Sequence, residues 1–138
     1  MKKKLSCVLL IDDDYATNYI HERTIKQADM AEKVVAKQSG YDALDYLRET
    51  NSEEYTCPEI IFLDINMPGM DGWEFLDEYD KLEEVKKAKM VLVMLTTSLN
   101  PDDENTSKDI PNISGFKNKP LTVPVLDEII DAHFPDYR

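Results

Sequence analysis

Apolar residues recur along the chain in two alternating rhythms. Five short runs come first: Cys7–Ile11, Lys33–Ala36, Ile60–Leu63, Met90–Leu95 and Ser114–Lys117. The third and fourth are nearly continuous in Ile, Leu, Val, Met and Phe, as expected for strands buried on both faces of a parallel sheet. The second and fifth are weaker and fit edge strands. Between the runs the period lengthens to that of a helix. Ala16, Ile20, Thr24 and Ala28 share one spacing, with Tyr19 and Ile25 beside them, and Asp14 is placed to cap that helix. Gly40 precedes a second helix with Ala43, Leu44 and Leu47 on one face. Trp73, Leu76, Tyr79 and Leu82, with Phe75, mark a third. Pro101-Asp102-Asp103-Glu104 starts a fourth with acidic residues that suit its dipole, although Asn105 to Asp109 has almost no apolar face. Thr122 before Val123-Pro124 reads as the cap and first turn of a fifth, with Val125, Leu126, Ile129, Ile130 and Phe134 inward. Strand–helix alternation of this kind predicts right-handed crossovers and a doubly wound α/β fold with helices on both faces of a five-stranded parallel sheet.

Polar residues gather where the strands end. The first run stops at Asp12-Asp13-Asp14, the third at Asp64, the fourth at Thr96-Thr97-Ser98, and the fifth near Lys119-Pro120. In an open parallel sheet, ligands sit outside the carboxyl ends of the strands. Bringing Asp12, Asp13 and Asp64 together there is costly. Two unit charges ~4 Å apart repel by roughly 4 kcal/mol at an effective dielectric of about 20. Lys119 supplies one positive charge and a divalent cation would supply two. Clustered carboxylates with water and a backbone carbonyl are ligands for Mg²⁺ rather than zinc. A carboxylate beside Mg²⁺ and an ammonium is placed to attack phosphorus, with the developing charge held by metal and lysine.

The chain has 138 residues, suited to one compact domain, and a net charge of −12 from 28 acidic and 16 basic residues. That balance argues against direct binding to nucleic acid, which needs clustered Lys and Arg. Met1-Lys2-Lys3-Lys4 before Leu5 to Ile11 is a basic tail preceding a strand, because the apolar stretch is broken by Ser6 and lacks a cleavage site. No run approaches membrane-spanning length. Cys7 and Cys57 lack metal-type spacing and read as free thiols of a cytoplasmic protein.

In order and with fitting separations, VLLIDDD, FLDINMPGMDGWEF, VLVMLTT and GFKNKPLT resemble the receiver domain of two-component response regulators, single-domain chemotaxis-type proteins included. The resemblance covers nearly the whole chain and implies a flavodoxin-like strand order 2-1-3-4-5. It makes Asp64 the phosphoacceptor. Asp13 would ligate Mg²⁺ directly, Asp12 mainly through bound water, and Asn66 through its backbone carbonyl. Thr96 would hydrogen-bond one phosphoryl oxygen and Lys119 another, with Lys119-Pro120 a candidate cis peptide. Phe116 takes the place of the aromatic that repacks when Thr96 moves. Asn66, Thr97 and Ser98 would tune access of water to the acyl phosphate, and Thr97 is larger than the residue the family prefers there.

The resemblance implies a partner that donates phosphate, a sensor histidine kinase or phosphotransfer protein, and a separate protein target. Residues 1–138 read as one receiver domain ending at its fifth helix, so no output domain is expected, nor any contact with nucleic acid or membrane. The rivals are a Mg²⁺-dependent phosphatase with an aspartyl-phosphate intermediate and a pseudo-receiver that never turns over phosphate. The first commonly carries a second aspartate two residues after its nucleophile, where this chain has Asn66. The set Asp13, Asp64, Thr96 and Lys119 argues against the second. His21 and His133 lie on predicted helices away from the site and read as structural or solvent-facing.

Overall fold

In the computed structural model, described for residues 4–48, 58–81, 91–96, 105 and 113–134, five parallel strands form one sheet in the order β2-β1-β3-β4-β5. The strands are β1 (Val8–Ile11), β2 (Val34–Lys37), β3 (Ile60–Asp64), β4 (Val91–Thr96) and β5 (Gly115–Asn118). All five coincide with the apolar runs to within about a residue at either end. Every residue of β1 and β3 is buried, whereas the edge strand β2 is only partly covered. Continuous hydrophobicity thus marked the inner strands for the reason given, burial on both faces.

The described helices are α1 (Tyr15–Ala28), α2 (Gly40–Arg48), α3 (Gly72–Asp80) and α4 (Val123–His133). Alternate strand residues divide the core in two. Leu9, Ile11, Ile61, Leu63, Leu92 and Met94 pack with Ala43, Leu44 and Leu47 of α2 and Phe75, Leu76 and Tyr79 of α3. Val8, Leu10, Ile60, Phe62, Val93 and Leu95 pack with Ile25 of α1 and Leu126, Ile129 and Ile130 of α4. The period of two along each strand therefore assigns α2 and α3 to one face and α1 and α4 to the other. Caps hold the helix starts. Asp14 accepts from Ala16 N, Thr122 accepts from Val125 N, and Asp71 with Glu74 forms a reciprocal capping box on α3.

One helix turns a different face inward from its apolar stripe. On α1 the buried residues are Asn18, His21 and Ile25, while Tyr19 and Ile20 are 58% and 52% exposed. Hydrogen bonds of Asn18 Nδ2 and His21 Nε2 offset part of the cost of burying these residues, so polarity concealed the face that packs. The helix expected from Pro101 to Asp109 lies outside the described residues apart from Asn105, which is helical and exposed. Leu82 and Cys57 also lie outside them. Cys7 is buried. His133 is exposed, as anticipated. Among the described residues no helix is long and apolar enough to cross a membrane.

Candidate functional site

Parallel register brings the polar strand ends to one edge of the sheet. Leu63 lies beside both Ile11 and Met94, and Asp64 beside Leu95, so Asp12, which follows β1, and Asp64 and Thr96, which end β3 and β4, stand together at the ends of adjacent strands. Asp12 is 3% exposed, Asp64 5% and Thr96 2%. Asp13 stands at the same edge but faces solvent. Carboxylate oxygens of Asp12, Asp13 and Asp64 all lie within 4.8 Å of one another.

Lys119 follows β5 and reaches across the edge. Its Nζ lies 2.5 Å from Asp12 Oδ2 and 3.0 Å from Asp64 Oδ1, and all three side chains are nearly buried. The sequence sets Lys119 against the clustered carboxylates and, by resemblance, against a phosphoryl oxygen; in the structure its nearest carboxylate is Asp12. Burial is the largest influence on the Lys119 ammonium and would lower its pKa. The hydrogen bonds to Asp12 and Asp64, with both negative charges, outweigh it and hold the pKa above its ordinary value. For Asp64, burial dominates and raises the carboxyl pKa; the Lys119 contact opposes it and the Asp12 charge reinforces it. Two buried acids thus share one base, and the ionised form of Asp64 is disfavoured.

The loop after β3 is locked by its backbone. Asp64 Oδ1 also accepts from Asn66 N at 3.4 Å, and Asn66 itself is exposed. Among the described residues Oδ2 of Asp64 accepts no hydrogen bond. Gly69 has φ of 78°, in the left-handed region where a side chain is strained. Gly72 N donates to Ile65 O at 2.8 Å. A Cβ on Gly72 would lie 2.9 Å from both the Asp64 carbonyl and Ile65 Cα, so only glycine lets α3 start this close to the end of β3.

Thr96 ends β4, and its carbonyl accepts from Lys119 N at 2.7 Å. The Lys119–Pro120 peptide bond is cis, as the resemblance suggested. Met94 pairs with Phe116 and Thr96 with Asn118. Period two then sets Thr96 on the same face as Phe116, which is half-buried against the α2–α3 side of the core. Thr97 and Ser98 lie outside the described residues.

Two buried polar residues of α1 complete the surroundings. Asn18 Nδ2 donates to the carbonyls of Asp12 at 2.9 Å and Lys37 at 3.3 Å, tying the ends of β1 and β2 together. His21 Nε2 accepts from Leu121 N at 3.3 Å. Burial lowers the His21 pKa; the Asp12 charge opposes this and Lys119 adds to it. His21 is structural, as expected, but not remote: it senses both charges of the site. The spacing of Asn18, His21 and Ile25, three and then four residues apart, is a helical face in its own right and was the available signal.

The donor set fits a hard divalent cation. It is made of carboxylate oxygens, it includes two nearly buried acids, and one ammonium leaves the three carboxylates in excess of positive charge.

Known proteins match this architecture. The profile of the response regulator receiver domain aligns with residues 8–131. A response regulator of Synechocystis is 29% identical over 75% of this chain and 69% of its own length. Among solved structures, a two-component response regulator from Cytophaga hutchinsonii superposes with a TM-score of 0.87 at 31% identity, covering 96% of this chain and 99% of its own. A response regulator receiver protein from Dyadobacter fermentans gives 0.83 at 25% identity, covering 94% and 98%. Matched from its first strand into its last described helix, and carrying the same fold, the chain belongs to the response regulator receiver domain family of two-component systems.

Proposed function

We propose that Asp64 accepts a phosphoryl group from the phosphohistidine of a sensor histidine kinase or phosphotransfer protein, in a Mg²⁺-dependent reaction in the cytoplasm. The observation that carries this reading is the contact set around Asp64: a nearly buried carboxylate with Lys119 Nζ at 3.0 Å and oxygens of Asp12 and Asp13 within 4.8 Å. Asp64 Oδ1 is held by Lys119 and Asn66 N, which leaves Oδ2 to attack phosphorus. The new O–P bond forms as the P–N bond of the donor breaks, and its electron pair leaves on the imidazole nitrogen. Asp12, Asp13, Asp64 and the Asn66 carbonyl would hold Mg²⁺, which when bound offsets charge on carboxylates and phosphoryl oxygens alike. Lys119 stabilises one phosphoryl oxygen and the Thr96 hydroxyl donates to another. A hydrogen bond to a charged group contributes about 1.5–3 kcal/mol. That is enough to shift a two-state population roughly tenfold to a hundredfold.

The output is a changed protein-binding face reached through Thr96 and Phe116, acting on a separate protein target rather than on nucleic acid or membrane. The chain catalyses only its own phosphorylation and dephosphorylation. Asn66, with no carboxyl to serve as acid or base, disfavours turnover of separate phosphate esters. Asn66, Thr97 and Ser98 set the lifetime of the acyl phosphate. Incubation with acetyl phosphate and Mg²⁺, followed by intact-mass measurement, tests the reading. One added phosphoryl group is expected on the wild type and none on Asp64→Asn; full labelling of the variant overturns the assignment.

A further inference from the structure

His21 belongs to α1, which supplies none of the charged groups of the site, yet only 2% of its surface is exposed. A buried imidazole is costly unless its nitrogens find partners. Nε2 finds the backbone N–H of Leu121, 100 residues away in sequence. As the acceptor, Nε2 is unprotonated, so the neutral ring carries its proton on Nδ1. The low His21 pKa caused by burial agrees with a neutral ring.

Leu121 closes the segment Lys119-Pro120-Leu121. Proline has no N–H, so this segment has two backbone donors. Lys119 N donates to the Thr96 carbonyl at 2.7 Å and Leu121 N to His21. One bond fixes the segment to the end of β4 and the other fixes it to α1. The Lys119 side chain departs from between these anchors to reach Asp12 and Asp64. Leu121 is itself buried in the α1–α4 side of the core, where His21 provides the acceptor its backbone needs.

We propose that His21 is a positioning residue for Lys119: its Nε2 anchors the backbone from which the ammonium is delivered to Asp64. His21 touches no reacting atom and acts only through this segment. The kinetic part of the proposal rests on the reading of Asp64 as phosphoacceptor; the anchoring part does not.

Two substitutions separate anchoring from space-filling. His21→Gln retains a side-chain acceptor, whereas His21→Met retains apolar bulk and loses the acceptor. In ¹⁵N-labelled full-length protein, an N–H···N scalar coupling between Leu121 and His21 Nε2 is expected, together with Lys119–Asp12 NOE contacts. His21→Gln should keep those contacts and His21→Met should lose them while still unfolding cooperatively. With acetyl phosphate and Mg²⁺, His21→Met should label Asp64 roughly tenfold to a hundredfold more slowly, the scale expected for displacement of a group by about 1 Å. His21→Gln should stay within about threefold of the wild type, because it keeps an acceptor for Leu121 N. Adding His21→Met to Lys119→Ala should slow labelling no further, because residues acting as one unit are not additive. Labelling by His21→Met as fast as or faster than by His21→Gln, or multiplying losses in the double variant, overturns the proposal. If wild-type protein takes no phosphoryl group, the Asp64 reading fails, and the NMR contacts alone decide the anchoring: their persistence in His21→Met overturns it and their loss upholds it.

Discussion

Lys119 Nζ lies closer to Asp12 than to Asp64, 2.5 Å against 3.0 Å. One ammonium therefore serves two nearly buried carboxylates and is drawn most strongly to the one at the end of β1. Removing it leaves both acids facing each other without a neutralising partner. Breaking a buried ion pair from one side costs about 3–5 kcal/mol, most of it the penalty on the charge left behind. Lys119→Met should lower stability by an amount near the bottom of that range in metal-free buffer at neutral pH. Adding Asp64→Asn should restore part of the loss. Urea denaturation of the three proteins reads this directly; equal midpoints for Lys119→Met and wild type would sink it.

Asp64 carries the opposite sign. Its folded carboxyl pKa is raised, chiefly by burial. The folded state therefore holds a proton on Asp64 at a pH where the unfolded chain has released it. Ionised Asp64 costs stability above the folded pKa, and that cost fades as pH falls from the folded value towards the ordinary carboxyl value. Asp64→Asn should melt a few degrees above the wild type at pH 7 without metal, a shift on the scale of under 1 kcal/mol. The gap between the two proteins should narrow on acidification. Mg²⁺ should reverse the order by binding the folded wild type, which gains about 2.7 kcal/mol at a hundredfold excess over its dissociation constant. Thermal melts at two pH values with and without Mg²⁺ check both halves, and a wild-type melt indifferent to Mg²⁺ contradicts the metal assignment.

The sequence reveals these charges because strand ends are easy to locate. β3 and β4 are apolar up to their last residues, so Asp64 and Thr96, the polar residues that end them, stand out. Parallel strands then bring all such residues to one edge. The inner face of α1 was hidden by the opposite circumstance. Asn18 and His21 are polar in sequence and buried in structure, and their partners are backbone groups of Asp12, Lys37 and Leu121. A periodicity of apolar residues cannot register such contacts, and it highlighted Ile20 and Tyr19, which face solvent. That Asp12 is the nearest carboxylate to Lys119 was equally hidden, since the contact joins residues 107 apart and depends on how the end of β5 approaches β1.

Gly72 offers a test of the loop that presents Asp64. Alanine favours a helix interior over glycine by about 1 kcal/mol. At Gly72 that preference is opposed by contacts of 2.9 Å with the backbone of Asp64 and Ile65, atoms that cannot rotate away. Overpacking of this kind costs typically about 1–3 kcal/mol. Gly72→Ala should therefore be destabilising, with slower labelling of Asp64 by acetyl phosphate, despite its better helix propensity. Retained stability together with wild-type labelling would show that the end of β3 yields freely.

The remaining prediction concerns transmission from Thr96. Its carbonyl holds Lys119 N, its register partner is Asn118, and Phe116 lies one pair down on the same face of the sheet. Among the described residues β5 is an edge strand paired with β4 alone, so it is held in the sheet by one strand neighbour rather than two. Binding of beryllofluoride at Asp64 should draw the Thr96 hydroxyl towards the phosphate mimic and change the packing of Phe116 against Met94. Thr96→Ala lacks the hydroxyl but keeps Asp64, Lys119 and the acidic cluster. It should still accept phosphate, since the attacking carboxylate is intact, while losing much of the structural response. Amide hydrogen exchange with and without beryllofluoride should therefore change across residues 113–118 of the wild type and change far less in Thr96→Ala. An equal response in both proteins would mean that β5 is coupled to Asp64 by another route, and Lys119, which bonds both Asp64 and the Thr96 carbonyl, would be the residue to substitute next.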